Sequence, residues 1–233
     1  MTEEQWLECT DPTPMLEFLR GKANGRKLRL LACACCRRIW HLLSDPSARN
    51  AVESAEDYTD GLIGDSEWSD ICYAFSDYYR TTEDHPAENV AARAVAATTV
   101  QFLNPSFHRL IGSGVYNAMR AAAKAFSPVT GDFDSSDDCS VRMASEKAKQ
   151  AVAIRDVFTN PFRPITIDPR WHTSTVVDLA NAIYREKAFD RMPILADALM
   201  DAGCDNEEII AHCRGDGPHV RGCWVVDLLT GRE

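Results

Sequence analysis

Apolar side chains recur at spacings of three and four residues along most of this chain, and that period restricts its fold more than any other property. The period is strongest between Arg26 and Leu43, where it is carried by Leu28, Leu31, Ala32, Cys35, Ile39 and Leu42. Residues at these spacings lie on one face of an α-helix, which can pack against a core. No segment of useful length alternates apolar and polar residues as a half-buried strand does. The sequence therefore predicts an all-α fold.

Capping residues and prolines divide this pattern into separate helices. Thr2 and Gln5 match a capping box, in which each side chain binds a backbone N–H at the start of a helix. Further helices are predicted from Pro86 through Leu103 and from Ser106 to Phe126. The chain should therefore form an irregular multi-helix bundle.

One segment interrupts the helical period near the middle of the chain. Residues 127–140 are small and acidic, without apolar periodicity, and the helical pattern resumes at Val141. We expect residues 127–140 to be an acidic linker. It would join an N-terminal helical subdomain, residues 1–126, to a C-terminal one, residues 141–233.

The charge of the chain limits its partners. Its 233 residues carry a formal net charge of -10, which works against binding a polyanion such as nucleic acid. The basic segment from Arg26 to Arg38 is better explained as a solvated face that pairs with the acidic segment after it. The acidic N-terminus lacks the pattern of a secretory signal, and no run of about 18 apolar residues could span a membrane. These features predict a cytoplasmic protein.

Cysteine usage agrees with a reducing compartment. The nine cysteines are odd in number, and Cys35 and Cys36 are adjacent, which does not suit a disulfide framework. Cys33 and Cys36 form a C-x-x-C motif, whose two sulfurs would lie on one side of a helix. Redox motifs of this type begin a helix after a strand, so packing is the better interpretation of this pair.

The densest group of chemically active residues lies near the C-terminus, between Gly203 and Asp227. It includes His212 and a set with the ligand types of a structural zinc site, namely Cys204, Cys213, His219 and Cys223. The intervals of nine, six and four residues within that set match no standard zinc finger. Packing of the cysteines in the core is therefore the main alternative to metal binding.

Two catalytic alternatives use the same residues. One is a catalytic metal ion in place of a structural one. The other is a Cys213 nucleophile with His219 as its base, in a positive environment provided by Arg214 and Arg221. No further arrangement of serine, cysteine and histidine matches a known catalytic motif.

Carboxylates within apolar runs are a second feature of the C-terminal segment. Asp197 lies in ILADAL and Asp227 in WVVDLL, and a buried carboxylate requires a partner. Arg191, Arg214 and Arg221 could pair with them, and we expect at least one such pair to join the terminal helices.

Two blocks of sequence resemble a large paralogous family of planctomycete proteins. The first block contains WLECTDPTPMLEFLRGK and RLLACACCRRIWHLL, within residues 6–43. The second, within residues 155–231, contains RDVFTNPFRP, AFDRMPILADALMDAGC and HCRGDGPHVRGCWVVDLLTG. The family is functionally uncharacterised, and the resemblance implies a bacterial cytoplasmic protein with no assigned activity or catalytic residue.

These observations favour a non-enzymatic helical module that binds another protein or acts in regulation. The alternative is a metal-dependent or cysteine-based enzyme that uses the C-terminal Cys/His group. Structural zinc is the one cofactor that the sequence suggests.

Overall fold

The computed structural model of the chain describes residues 1–81, 92, 94–96 and 136–232, and within them it contains helices and no strand. The all-α prediction is confirmed. The chain divides into two compact units, Met1–Ala151 and Val152–Glu233. Among the described residues, no helix has both the length and the hydrophobicity that crossing a bilayer requires.

The first unit begins with a short capped helix and continues through longer amphipathic ones. Their bounds are α1 Glu3–Glu8, α2 Pro12–Leu19, α3 Gly25–Arg38, α4 Pro46–Thr59 and α5 Asp65–Thr81, with a 3₁₀ turn at Trp40–Leu42. Thr2 and Gln5 form the predicted capping box of α1. Helix α3 packs against α4, and α4 packs against α5. The helices predicted at 86–103 and 106–126 lie outside the described residues, except that residues 92 and 94–96 are helical.

Helix α3 buries most of one face and carries several basic side chains. Its cysteines Cys33, Cys35 and Cys36 are fully buried, in agreement with the packing interpretation of the C-x-x-C motif. Two of its basic side chains, Arg26 and Arg37, pair with acidic residues of the following segment as predicted, whereas Arg38 pairs with Glu146. The Arg37 guanidinium binds Glu56, and the Arg26 guanidinium binds Asp60 with both Nε and Nη2.

The structure describes only the last five residues of the predicted linker, 136–140. Helix α6, Ser136–Phe158, begins five residues before the predicted position, so residues 136–140 are helical and do not form a linker. Residues 127–135 lie outside the described part of the chain. The subdomain boundaries at 126 and 141 therefore remain predictions.

The second unit contains the last turns of α6 and four further helices. These are α7 Ser174–Glu186, α8 Met192–Asp201, α9 Glu207–Arg214 and α10 Trp224–Thr230, with 3₁₀ turns at Pro169–Trp171 and Phe189–Arg191. Helix α8 packs against both α7 and α9, and α10 packs against α7. Their apolar faces form a buried core that includes Ile183, Leu195 and Val225. This core fixes the position of α9, which contains His212, and of α10, whose N-cap residue is Cys223.

Candidate metal centre

Four side chains with metal-binding groups converge in the second unit. They are Asp156, His212, His219 and Cys223, and one ligand atom from each lies within 4.8 Å of the others. Three of them lie within residues 212–223, and the fold brings Asp156, which is 56 residues before His212, to them. The chemistry of this group is that of a transition-metal site, because imidazole, thiolate and carboxylate are the ligands that zinc accepts.

Each of the four residues is held by local structure. Asp156 lies in the last turn of α6, beside the buried side chains of Ile154 and Val157. His212 is near the end of α9, whose first turn is capped by the Asn206 side chain. The other two residues follow in the connection from α9 to α10: His219 is in the loop, and Cys223 is the N-cap residue of α10.

The distances within the group are close to those of a tetrahedral site. His212 Nε2 lies 3.2 Å from both Asp156 Oδ1 and Cys223 Sγ. His219 Nδ1 lies 2.8 Å from the same Asp156 oxygen and 4.0 Å from Cys223 Sγ. Ligands at about 2.0–2.3 Å from one zinc ion are about 3.3–3.6 Å apart at tetrahedral angles. The group is therefore near the required size without rearrangement of the backbone.

Surrounding contacts orient two of these side chains. The backbone N–H of Val220 donates to Asp156 Oδ2 at 2.9 Å, which leaves Oδ1 directed at the two histidines. The Trp224 indole N–H donates to His212 Nδ1 at 3.1 Å, on the side of the ring opposite the group. The Val220 contact is of the type that fixes the orientation of a carboxylate ligand in metal sites.

The group is almost closed to solvent. The exposed fractions of the Asp156, His219 and His212 side chains are 4%, 8% and 18%, and Cys223 is fully buried. Burial alone would raise the pKa of Asp156, but hydrogen bonds from His212 and His219 hold it below its ordinary value. The carboxylate is therefore kept ionised, as metal binding requires.

The pKa of Cys223 is shifted in the opposite direction to that of Asp156. Burial raises the pKa of its thiol well above the ordinary value, and the charge of Asp156 raises it further. A buried thiol of this kind is a poor nucleophile, because the thiolate is the reactive form. Binding of a cation would supply the positive charge that a thiolate needs in this position.

The hydrogen-bond pattern also differs from that of a cysteine-protease type of site. In such a site the thiol and the carboxylate bind opposite nitrogens of one histidine. Here Cys223 Sγ and Asp156 Oδ1 both approach Nε2 of His212. The arrangement cannot relay a proton from the thiol through the ring to the carboxylate.

The four residues suggested by the sequence are placed in two different environments. His219 and Cys223 belong to the converging group, whereas Cys204 and Cys213 are buried in the apolar core of the second unit. Burial raises the pKa of Cys213 to about 12, so its thiol is protonated at neutral pH. This does not suit the Cys213 nucleophile considered above.

Sequence reasoning missed the other two members of the group. His212 and Cys213 are neighbours on α9 and point about 100° apart, so only one of them can face the site. The histidine does so, and the cysteine faces the core. Asp156 lies 56 residues before His212, and its one sequence signal is a carboxylate within an apolar run, AIRDVF.

Asp197 and Asp227, the two carboxylates within apolar runs of the C-terminal segment, differ in burial. Asp197 pairs with Arg214 at 2.8 Å, but its side chain is 69% exposed, so this pair is a surface contact. The expectation that Asp197 is buried was wrong, because it lies on the solvent face of α8. Asp227 is buried, as predicted.

Comparison of the chain with protein-family models, with curated proteins and with solved structures finds no match.

Proposed function

We propose that the second unit binds one zinc ion through Asp156, His212, His219 and Cys223, and that the ion stabilises the fold. The observation that supports this proposal is the convergence of four ligand atoms of the correct types within 4.8 Å. Two imidazoles, one thiolate and one carboxylate suit a tetrahedral Zn²⁺ ion.

A structural role is favoured over a catalytic one. Catalytic zinc sites have three protein ligands and leave one position for water or substrate. This site offers four protein ligands and little access from solvent, since the most exposed of them, His212, is 18% exposed. The ion would join α6 to the segment that carries His212, His219 and Cys223.

The ligand set can be tested with matched variants. We expect wild-type protein refolded with zinc and then dialysed to retain one zinc ion per chain by elemental analysis. His212→Ala should lose that zinc, because His212 is a member of the group. Cys213→Ala should keep it, since Cys213 packs in the core. The ligand set predicted from the sequence contains Cys213 and lacks His212, so it requires the opposite result: zinc lost in Cys213→Ala and kept in His212→Ala. That result would refute the proposed site, and so would wild-type protein that binds no zinc.

A second variant tests the loop that positions His219. Gly217 has φ +74°, and a Cβ on it would lie 2.9 Å from the His219 backbone nitrogen. Gly217→Ala should therefore displace His219 and weaken zinc binding at least tenfold in a competition titration with a chelator.

The matched control for Gly217→Ala is Gly231→Ala. Gly231 has φ +67°, and a Cβ there would have no neighbour within 4 Å. Alanine in a left-handed conformation costs about 1–2 kcal/mol at either position. Both variants should therefore lose stability in chelator, Gly217→Ala more than Gly231→Ala because of its backbone clash, and only Gly217→Ala should lose zinc affinity. Equal zinc affinities would show that the loop does not position His219.

We further propose that the protein is a non-enzymatic module of a bacterial cytoplasm that binds another protein. The resemblance to the planctomycete family supports the bacterial cytoplasm in this proposal, and an open groove between α1 and α2 supports the binding of a partner. Phe18, Pro14 and Cys9 line the groove, with the exposed carboxylates of Glu8 and Glu17. Capture of a partner by wild-type protein but not by the Glu8→Lys/Glu17→Lys variant would support it; equal capture would argue against the groove.

A further inference from the structure

The two ring nitrogens of His212 make contacts that a metal ion would change. Nδ1 accepts the indole N–H of Trp224 at 3.1 Å, while Nε2 faces Asp156 Oδ1 and Cys223 Sγ. An indole nitrogen can only donate a hydrogen bond, so Nδ1 must provide a lone pair to it. A neutral imidazole has one nitrogen with a lone pair and one with a hydrogen. In this arrangement the hydrogen is therefore on Nε2.

A metal ion at the site makes the opposite demand on the ring. Coordination requires the lone pair of Nε2, which places the hydrogen on Nδ1, directly against the Trp224 N–H. Turning the His212 ring by half a turn does not remove the conflict, because it takes Nε2 away from Asp156 and Cys223. The indole bond and the metal bond thus exclude each other on a neutral ring.

From this conflict we infer that Trp224 competes with the metal ion for His212, and that metal binding displaces the Trp224 indole from His212. The inference rests on the proposed zinc site and adds a response to it. Trp224 is the first residue of α10 and is 4% exposed, so a movement of its ring is transmitted to packed neighbours. The site then responds to metal binding by a change in side-chain packing at the start of α10, in addition to stabilising the fold.

The competition predicts a specific effect on affinity. In wild-type protein, zinc must break the Trp224–His212 hydrogen bond, whereas in Trp224→Phe the bond is absent and Nδ1 is free to carry its hydrogen. Trp224→Phe should therefore bind zinc about tenfold more tightly, as expected when one hydrogen bond no longer opposes binding. Trp171→Phe is the matched control, because Trp171 is a buried tryptophan of the same core.

The movement of the indole can be observed directly in the full-length chain. The protein has five tryptophans, so labelling with ¹⁵N-tryptophan gives five indole N–H signals. The signal absent from Trp224→Phe identifies Trp224, and in a zinc titration of wild-type protein this signal should shift, in step with zinc binding, more than that of Trp171. If Trp224→Phe does not fold, sequential assignment of the wild-type protein identifies the same signal.

The possible results separate this inference from the proposed function. A Trp224 signal that stays in place while zinc binds would overturn the inference, whereas zinc binding itself, on which the proposed function depends, would be retained. An unchanged or weaker zinc affinity in Trp224→Phe would overturn it in the same way. Wild-type protein that binds no zinc would overturn the proposed function and this inference together.

Discussion

Arg38→Ala is expected to lower the free energy of unfolding by about 3–5 kcal/mol, because it leaves a buried carboxylate without its cation. Arg38 Nε and Nη2 donate to the two oxygens of Glu146 at 2.7 and 2.6 Å. The Glu146 side chain is only 2% exposed, so water cannot replace the guanidinium. The Gln150 amide also donates to this carboxylate, at 3.2 Å, but it carries no charge. Urea denaturation of the full chain measures the loss.

Lys147→Ala is the matched control for this prediction. Lys147 follows Glu146 on the same helix and pairs with Asp11, but the two side chains are 39% and 43% exposed. Exposed pairs contribute about 0–1 kcal/mol. If Arg38→Ala lowers the free energy of unfolding no more than Lys147→Ala does, the buried Arg38–Glu146 pair does not stabilise the first unit as expected.

Asp156→Ala should destabilise the second unit in two separable ways. In the presence of a chelator we expect a loss of about 3 kcal/mol, because His212, His219 and the Val220 N–H lose a buried charged acceptor. In zinc at 1,000 times its dissociation constant, wild-type protein should gain about 4 kcal/mol, and the variant should gain nothing. Urea denaturation in chelator and in buffered zinc provides both values.

Asp197→Ala tests whether these losses depend on burial. Asp197 also lies in the second unit and accepts a hydrogen bond from Arg214, but it is 69% exposed. Its removal should cost less than about 1 kcal/mol and leave the zinc-dependent gain unchanged. A zinc-dependent gain that persists in Asp156→Ala would exclude Asp156 as a ligand, even if the loss in chelator is as expected.

Much of the local structure could be predicted because it depends on short-range chemistry. The capping box of Thr2 and Gln5 involves residues that are close in sequence. Such contacts form wherever the helix begins, whatever packs around it. The beginning of α6 at Ser136 was missed because its first residues, SDDCS, lack an apolar face.

The candidate site could be predicted only in part. The density of cysteine and histidine drew attention to the correct segment, and His219 and Cys223 were selected. The choice between His212 and Cys213 depends on how α9 is rotated against the core, which neighbouring residues alone do not reveal. Asp156 could not be linked to the segment at all, because its partners are 56 or more residues away.

The fold class and the types of side chain available near the C-terminus follow from the sequence alone, because helical period, caps and composition are properties of local sequence. Which of those side chains lie within contact distance depends on tertiary packing. Packing of α7, α8 and α10 buries Cys204 and Cys213 among apolar side chains, while the last turn of α6 brings Asp156 to His212, His219 and Cys223. The physical reason is that a metal site requires ligand atoms within a few ångströms of one point, and that distance is set by the packing of whole helices.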